Sequence, residues 1–380
     1  MKLLYVYTAL TTKGGTDRVL SSKANWLSEH GYDVLIVTDS QMGRKPAFHL
    51  YPKVRLHDLA IDFGKEYEHN FLMRTVVYYK LMYLYKKKLE ALIRIERPDV
   101  IISTLGRDIS FLLKIKGNSK CIGEAHTTKY YIRNFHLLER KNIFLKYLTK
   151  YFRWRMSSNI AKLDALIVLA EEHRVDWNVN IPIYVIPNSL SFSPREASKL
   201  MNKQIIMVGR YNDAKGFDYL IPAWEIVHKQ HPDWILNVYG SGELHDQVVE
   251  WIQEKSLEDS MILHEPTDDI MDKYLESSIC VLSSRYEGFS LVIMEAMACG
   301  VPVVSFDCPH GPRNIIKHGE DGLLVEYLNP QSLADGLCQL IENEELRKRL
   351  GSNARNNILR FSQDIIMGQW DALFHKITDV

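Results

Sequence analysis

Cysteine is scarce and unpatterned in this chain. There are five, Cys121, Cys280, Cys299, Cys308 and Cys338, an odd count with no C-x-x-C. That excludes a disulfide scaffold, fits a reducing cytosol, and offers no zinc spacing with histidine. Long apolar runs are also missing. The longest charge-free stretch, Trp177 to Pro194, carries three prolines and three asparagines, which bilayer helices avoid. After Lys2, only five or six apolar residues precede the polar Thr11–Gly15, so no secretory signal is expected. Neither sign of charge is in excess: 47 Lys and Arg face 47 Asp and Glu. No D-x-D tripeptide occurs anywhere. With 46% hydrophobic and 25% charged residues, disorder and collagen are excluded too. At ~100–200 residues per domain, the 380 residues suggest two domains.

The balanced total conceals an asymmetry. Met1–Arg195 holds 31 Lys and Arg against 18 Asp and Glu, a net of +13, while Glu196–Val380 holds 16 against 29, a net of −13. A polyanionic partner is expected for the first half. Short apolar runs at Leu3–Tyr7, Asp33–Val37, Val100–Thr104, Lys120–Glu124, Ala165–Leu169 and Ile183–Ile186 read as buried strands. Helical spacing covers Thr16–Glu29 and Phe71–Ile95. The pattern lapses over Pro187–Asn202. It restarts at Gln204–Val208 and runs through Ile235–Tyr239, Met261–His264, Ile279–Leu282, Pro302–Phe306 and Gly322–Val325. Both halves are therefore expected to be α/β, each a doubly wound parallel sheet, with ligands outside the carboxyl ends of the strands in a cleft. The expected divisions are 1–190, a linker at 191–203, 204–361, and a C-terminal helix over 362–380.

The segment Ser284–Gly300 is the most informative. A strand ends near Leu282, a loop carries Glu287-Gly288-Phe289, and an apolar helix begins near Ser290-Leu291 with Glu295 inside it. A lone carboxylate there is costly to bury unless paired or hydrogen-bonded; a solvated helix-face Glu is the plain alternative. Eight residues at helical rise span at most ~12 Å, about the length of a nucleotide diphosphate-sugar from ribose to hexose. The helix start between the glutamates offers free N–H groups to a diphosphate. Arg210 and Lys215, in a Gly-bounded loop after the strand Gln204–Val208, can clamp phosphates or be ordinary solvated cations. Gly14-Gly15, after the first strand, allow close backbone approach to a phosphate or simply make a turn. His126 lies at a strand's carboxyl end, where a single His is either structural or catalytic. Gly240-Ser241-Gly242 and Glu265-Pro266-Thr267 sit where a base would lie, or are turns.

Glu287 through Glu295 resembles the E-x7-E signature of the GT-B retaining glycosyltransferases of family 4. Gly300–Ser305, Asp307–Pro312 and Gly319–Val325 are similar to that group as well, and Val208–Gly216 resembles its G-R-x4-K-G loop. The resemblance implies two Rossmann-like domains facing a central cleft, with the C-terminal helix crossing back to the first domain. It implies transfer of a hexose or N-acetylhexosamine from a nucleotide sugar, UDP in expectation, with retained configuration. Glu287, with Gly288, Phe289, Ser290 and Leu291, would hold the donor sugar, Glu295 the ribose, and Arg210 and Lys215 the diphosphate. Gly14 and Gly15 would cover the phosphate, and His126 would lie near the donor sugar and acceptor hydroxyl. Metal-dependent glycosyl transfer normally uses D-x-D on a single-domain fold. A metal-independent, cofactor-free enzyme is therefore expected, with Arg210, Lys215 and the helix dipole stabilising the leaving group. An epimerase or hydrolase on the same scaffold, or a non-catalytic nucleotide- or membrane-binding scaffold, remains open.

Lys129–Arg155 interleaves eight cations (Lys129, Arg133, Arg140, Lys141, Lys146, Lys150, Arg153, Arg155) with eight aromatics and one acid, Glu139. A solvated basic helix face and RNA stacking are the alternatives. Docking to an anionic membrane surface fits better, cations meeting lipid headgroups and aromatics the interface. Lys86-Lys87-Lys88 is expected on the same surface. The expected partners are a nucleotide-sugar donor, a lipid-linked saccharide acceptor and an anionic membrane, not nucleic acid. The expected location is cytoplasmic, at the inner face of the membrane.

Overall fold

The computed structural model describes residues 1–130 and 143–378. They form two units, Met1–Pro187 with Ile366–Val380, and Asn188–Ile365. The first holds a seven-stranded sheet built from β1 (Lys2–Tyr7), β2 (Asp33–Thr38), β3 (Arg55–Asp58), β4 (Val100–Ser103), β5 (Lys120–Glu124), β6 (Ala165–Val168) and β7 (Ile183–Val185). Its order is β3-β2-β1-β4-β5-β6-β7. The second holds β8 (Gln204–Val208), β9 (Ile235–Tyr239), β10 (Met261–His264), β11 (Ile279–Leu282), β12 (Val303–Phe306) and β13 (Gly322–Val325). Its order is β10-β9-β8-β11-β12-β13. All these pairings are parallel. Both sheets are doubly wound, the Rossmann-like architecture expected from the two runs of alternating elements.

Parallel strands are covered on both faces, so their sequences are nearly continuous apolar runs. β4 and β11 are buried at every residue. One core gathers Leu4, Val6, Leu35, Val37, Ile101 and Val168; the other gathers Ile205, Met207, Leu236, Val238, Val281 and Phe306. β3 has no counterpart among the expected strands. It is a sheet edge with a polar sequence, Arg-Leu-His-Asp, that carries no apolar run.

Residues 191–203, expected as a linker, pack on the second unit. Ser198 donates to the carbonyls of Cys299 (2.8 Å, backbone) and Ser277 (2.7 Å, Oγ). The buried Arg347 donates to the carbonyl of Leu200. These groups satisfy the segment's backbone without giving it a sequence period. The helix Gln363–Thr378 buries Trp370 and Phe374. No helix among the described residues is long and apolar enough to cross a membrane.

Candidate active site

In the second unit β8 lies beside β11, and the chain winds away from that junction in both directions. In open parallel sheets such a switch point, at the carboxyl ends of the strands, is where ligands bind. The loop after β8 ends in a 3-10 turn, Asp213–Lys215, closed by Gly216 at φ +63°. A Cβ on Gly216 would lie 2.2 Å from the Ser283 carbonyl oxygen, so only glycine lets the two loops touch there. Ser283 Oγ donates to the Lys215 carbonyl at 2.8 Å, fastening the turn to the loop after β11.

Lys215 and Glu287 meet across this junction. Nζ lies 2.7 Å from Oε1, and Ser284 Oγ donates to the same oxygen at 2.7 Å. The lysine stem runs over Gly209, and the Glu287 Cβ packs on Gly311. Arg210, by contrast, is exposed and pairs with no acid among the described residues. Arg285, given no role from the sequence, ties the two loops together. Its Nη1 donates to the Asp213 carbonyl at 2.7 Å, its Nη2 to Asp218 at 2.5 Å, and its guanidinium lies 5.0 Å over the Tyr219 ring. A cation two residues before the Glu-Gly pair was its only sequence signal.

Ser290 caps the helix Leu291–Ala298 without a side-chain bond. Its hydroxyl is buried and has no partner among the described residues. The helix start therefore presents unsatisfied donors beside the Lys215–Glu287 pair. Phe289 is buried edge-on against Phe361 at 5.2 Å; Gly288 and Leu291 are half-buried. Glu295 is buried, 5% exposed, and accepts a hydrogen bond from Tyr274 Oη at 3.3 Å. Its charge adds to burial in pushing the Cys299 thiol up to about 12. The glycines of Gly240-Ser241-Gly242 answer to packing: Cβ atoms there would overlap the Gly209 and Tyr211 carbonyls at 1.8 and 2.4 Å.

In the first unit Gly14 is the extended N-cap of the helix Gly15–Glu29. Neither Gly14 nor Gly15 occupies the left-handed region. Asp17, assigned no role from sequence, organises the loop before them. It is buried and accepts from Tyr7 Oη at 2.6 Å, Thr12 N at 2.8 Å and Thr12 Oγ1 at 3.0 Å. His126 follows β5, with Nε2 3.6 Å from Glu124 Oε1. Glu124 is ion-paired with Lys23, and both are buried. Lys23 stands on the helix stripe otherwise made of Val19, Leu20, Ala24 and Leu27. A charge on that apolar stripe was the signal that could have revealed it.

The helix Ile143–Ile160 exposes Tyr147, Tyr151, Phe152 and Trp154, alongside Lys146, Lys150 and Arg155. Three cations expected at a membrane serve the fold as well. Lys129 Nζ donates to the Asp176 carbonyl at 3.2 Å, Arg153 lies 5.1 Å over Tyr130, and Lys88 donates to the Leu59 carbonyl at 2.6 Å. Tyr131, Arg133, Phe135, Glu139, Arg140 and Lys141, and the side chain of Phe144, lie outside the described residues. The helix Phe71–Glu96 exposes Val76, Tyr79 and Tyr83 as well, which no sequence signal had singled out.

Residues 191–357 match the family described as Glycosyl transferases group 1. An uncharacterized glycosyltransferase of Haemophilus influenzae is 30% identical over 98% of this chain and 99% of its own length. The amylovoran biosynthesis glycosyltransferase AmsD of Erwinia amylovora is 27% identical over 98% of this chain and 99% of its own. The fold matches a crystal structure of a S. aureus TarM variant in complex with fondaparinux, alpha-GlcNAc-glycerol and UDP. The TM-score is 0.79 at 19% identity, over 98% of this chain and 99% of that one. Two parallel Rossmann-like sheets, the match over residues 191–357 and a glycosyltransferase 30% identical along nearly its whole length lead to one assignment: the chain belongs to the group 1 glycosyltransferases, with the GT-B fold.

Proposed function

We propose that the enzyme transfers a hexose or N-acetylhexosamine from a UDP-sugar, with retention, to a lipid-linked or polysaccharide acceptor in surface glycan biosynthesis. The meeting of Lys215 with Glu287 beside the idle Ser290 hydroxyl carries this reading. It assembles a cation, a carboxylate and free helix N–H groups at a strand junction, the set a diphosphate-sugar requires. Lys215 and Arg210 stabilise the leaving diphosphate, which makes a metal ion unnecessary. Glu287 holds sugar hydroxyls, Glu295 the ribose, and Gly14-Gly15 cover the phosphate. The acceptor hydroxyl attacks from the face the diphosphate leaves, the leaving phosphate takes the proton, and His126 is the acceptor-side group. The E-x7-E spacing supports membership of family 4. The names of AmsD and of the TarM complex with UDP support a UDP-sugar and a glycan product.

The exposed aromatics and cations of Ile143–Ile160 are proposed to dock the enzyme peripherally on an anionic leaflet, cytoplasmic in orientation, where a lipid-linked acceptor resides. A thermal-shift panel of nucleotide sugars, followed by UDP release with and without an EDTA-treated acceptor preparation, tests the proposal. Stabilisation by UDP-sugars and acceptor-dependent, EDTA-resistant UDP release are expected. Acceptor-independent release would make it a hydrolase, and an absolute divalent-ion requirement would overturn the metal-free reading.

A further inference from the structure

Lys23, Glu124 and His126 place two charges and an imidazole inside the first unit's core. Replacing a buried ion pair by well-packed apolar residues is often neutral or stabilising, so stability alone does not explain the pair. We infer that Glu124 and Lys23 are positioning residues that hold His126 as a neutral imidazole protonated on Nε2, leaving Nδ1 to accept a hydrogen bond from a substrate hydroxyl. The inference rests on His126 being the acceptor-side group proposed above.

The geometry sets the tautomer. His126 Nε2 faces Glu124 Oε1 at 3.6 Å, and the nitrogen is buried with no hydrogen-bond partner among the described residues. A ring nitrogen turned to a carboxylate carries the proton, because a lone pair there would face the carboxylate's own. Lys23 sets the charge. It pairs with the same oxygen, Oε1, under the Trp370 ring at 3.8 Å and the Tyr5 ring at 5.7 Å. Its charge offsets part of the attraction that Glu124 exerts on an imidazolium. Burial, aided by the Lys23 charge, holds the His126 pKa below its ordinary value against the pull of Glu124. Burial drives Glu124 upward, but Lys23 and then His126 outweigh it and keep the carboxylate ionised. The other titratable groups nearby are Tyr5, whose hydroxyl burial pushes well up, and Tyr32, which donates to Asp371 at 2.5 Å.

The test is 15N NMR of the full chain labelled at histidine, with the His126 signal assigned by its loss in His126→Gln. Wild-type enzyme should show the neutral Nε2–H tautomer at neutral pH. Lys23→Met leaves the Glu124 charge unbalanced and should raise the His126 midpoint by about one pH unit or more. The acidic limb of the pH–rate profile should move with it, and Lys23→Arg should restore both. If Lys23→Met does not fold, Lys23→Met with Glu124→Leu removes both charges and the acceptor facing Nε2, and should abolish the tautomer preference. A charged His126 or an Nδ1–H tautomer in wild type overturns the inference, as does a titration indifferent to Lys23. Full transfer activity in His126→Gln would instead strike at the acceptor-side role of His126 and leave the NMR result standing.

Discussion

Lys215→Ala separates the structural role of the lysine from the leaving-group role proposed for it. Its Nζ lies 2.7 Å from Glu287 Oε1, with the side chains 17% and 12% exposed. A hydrogen bond to a charged group at that depth contributes about 1.5–3 kcal/mol. The loss on truncation is smaller, because Ser284 Oγ still donates to the same oxygen and water can reach the carboxylate. About 1–2 kcal/mol is expected, lowering Tm by about 2–8 °C in a unit of this size. The catalytic loss has a different origin. An ammonium aimed at charge developing on the diphosphate is worth about 10²–10³ in kcat. Circular-dichroism melting and UDP release at saturating donor read the two separately. Gly209→Ala is the companion variant. Its methyl would lie 3.1 Å from Lys215 Cε, so the flexible stem must shift by a few tenths of an ångström while the fold stays intact. Its kcat should fall between wild type and Lys215→Ala, with little change in Tm. A Lys215→Ala enzyme whose kcat stays within about threefold of wild type would falsify the leaving-group assignment.

Glu295→Gln should weaken UDP binding by about 10-fold or more, from a lost hydrogen bond to a charged group worth about 1.5–3 kcal/mol; unchanged affinity by calorimetry would remove Glu295 from the donor site. Asp39 is 2% exposed, and burial raises its pKa to about 6. The folded state therefore holds a proton that the unfolded state releases, and stability should fall by about 3 kcal/mol as pH rises from about 4 to about 6. Asp39→Asn should melt higher than wild type at pH ~7.5 and equally at pH ~4; a pH-independent difference would refute the cause. Flotation with liposomes should require anionic lipid, decline as salt shortens the Debye length from ~10 Å at 0.1 M to ~3 Å at 1 M, and decline again when Lys146 and Lys150 are changed to Ser. Equal recovery with neutral and anionic vesicles would leave those cations as a solvated face.

The strands and their winding were legible in the sequence because a parallel strand buried on both faces must be apolar throughout. Leu3–Tyr7 and Ile279–Leu282 announce themselves without any knowledge of their neighbours. The polar edge strand Arg55–Asp58 did not, since its side chains are exposed or only half-buried and no covered face demands apolar residues. The positions of Glu287, Glu295, Arg210 and Lys215, each in a loop or helix that follows a recognisable strand, were legible in the sequence. The contact between Lys215 and Glu287 was not. Lys215 meets Glu287 across 72 residues, and Lys23 meets Glu124 across 101. Sheet order decides which strand ends are neighbours, and no local pattern records it. The same holds for Asp17 and Arg285, whose meaning lies in the loops they join, and for residues 191–203, whose partners lie far away in the chain. Local periodicity reports what each segment buries; only the folded topology determines which charges those burials bring together.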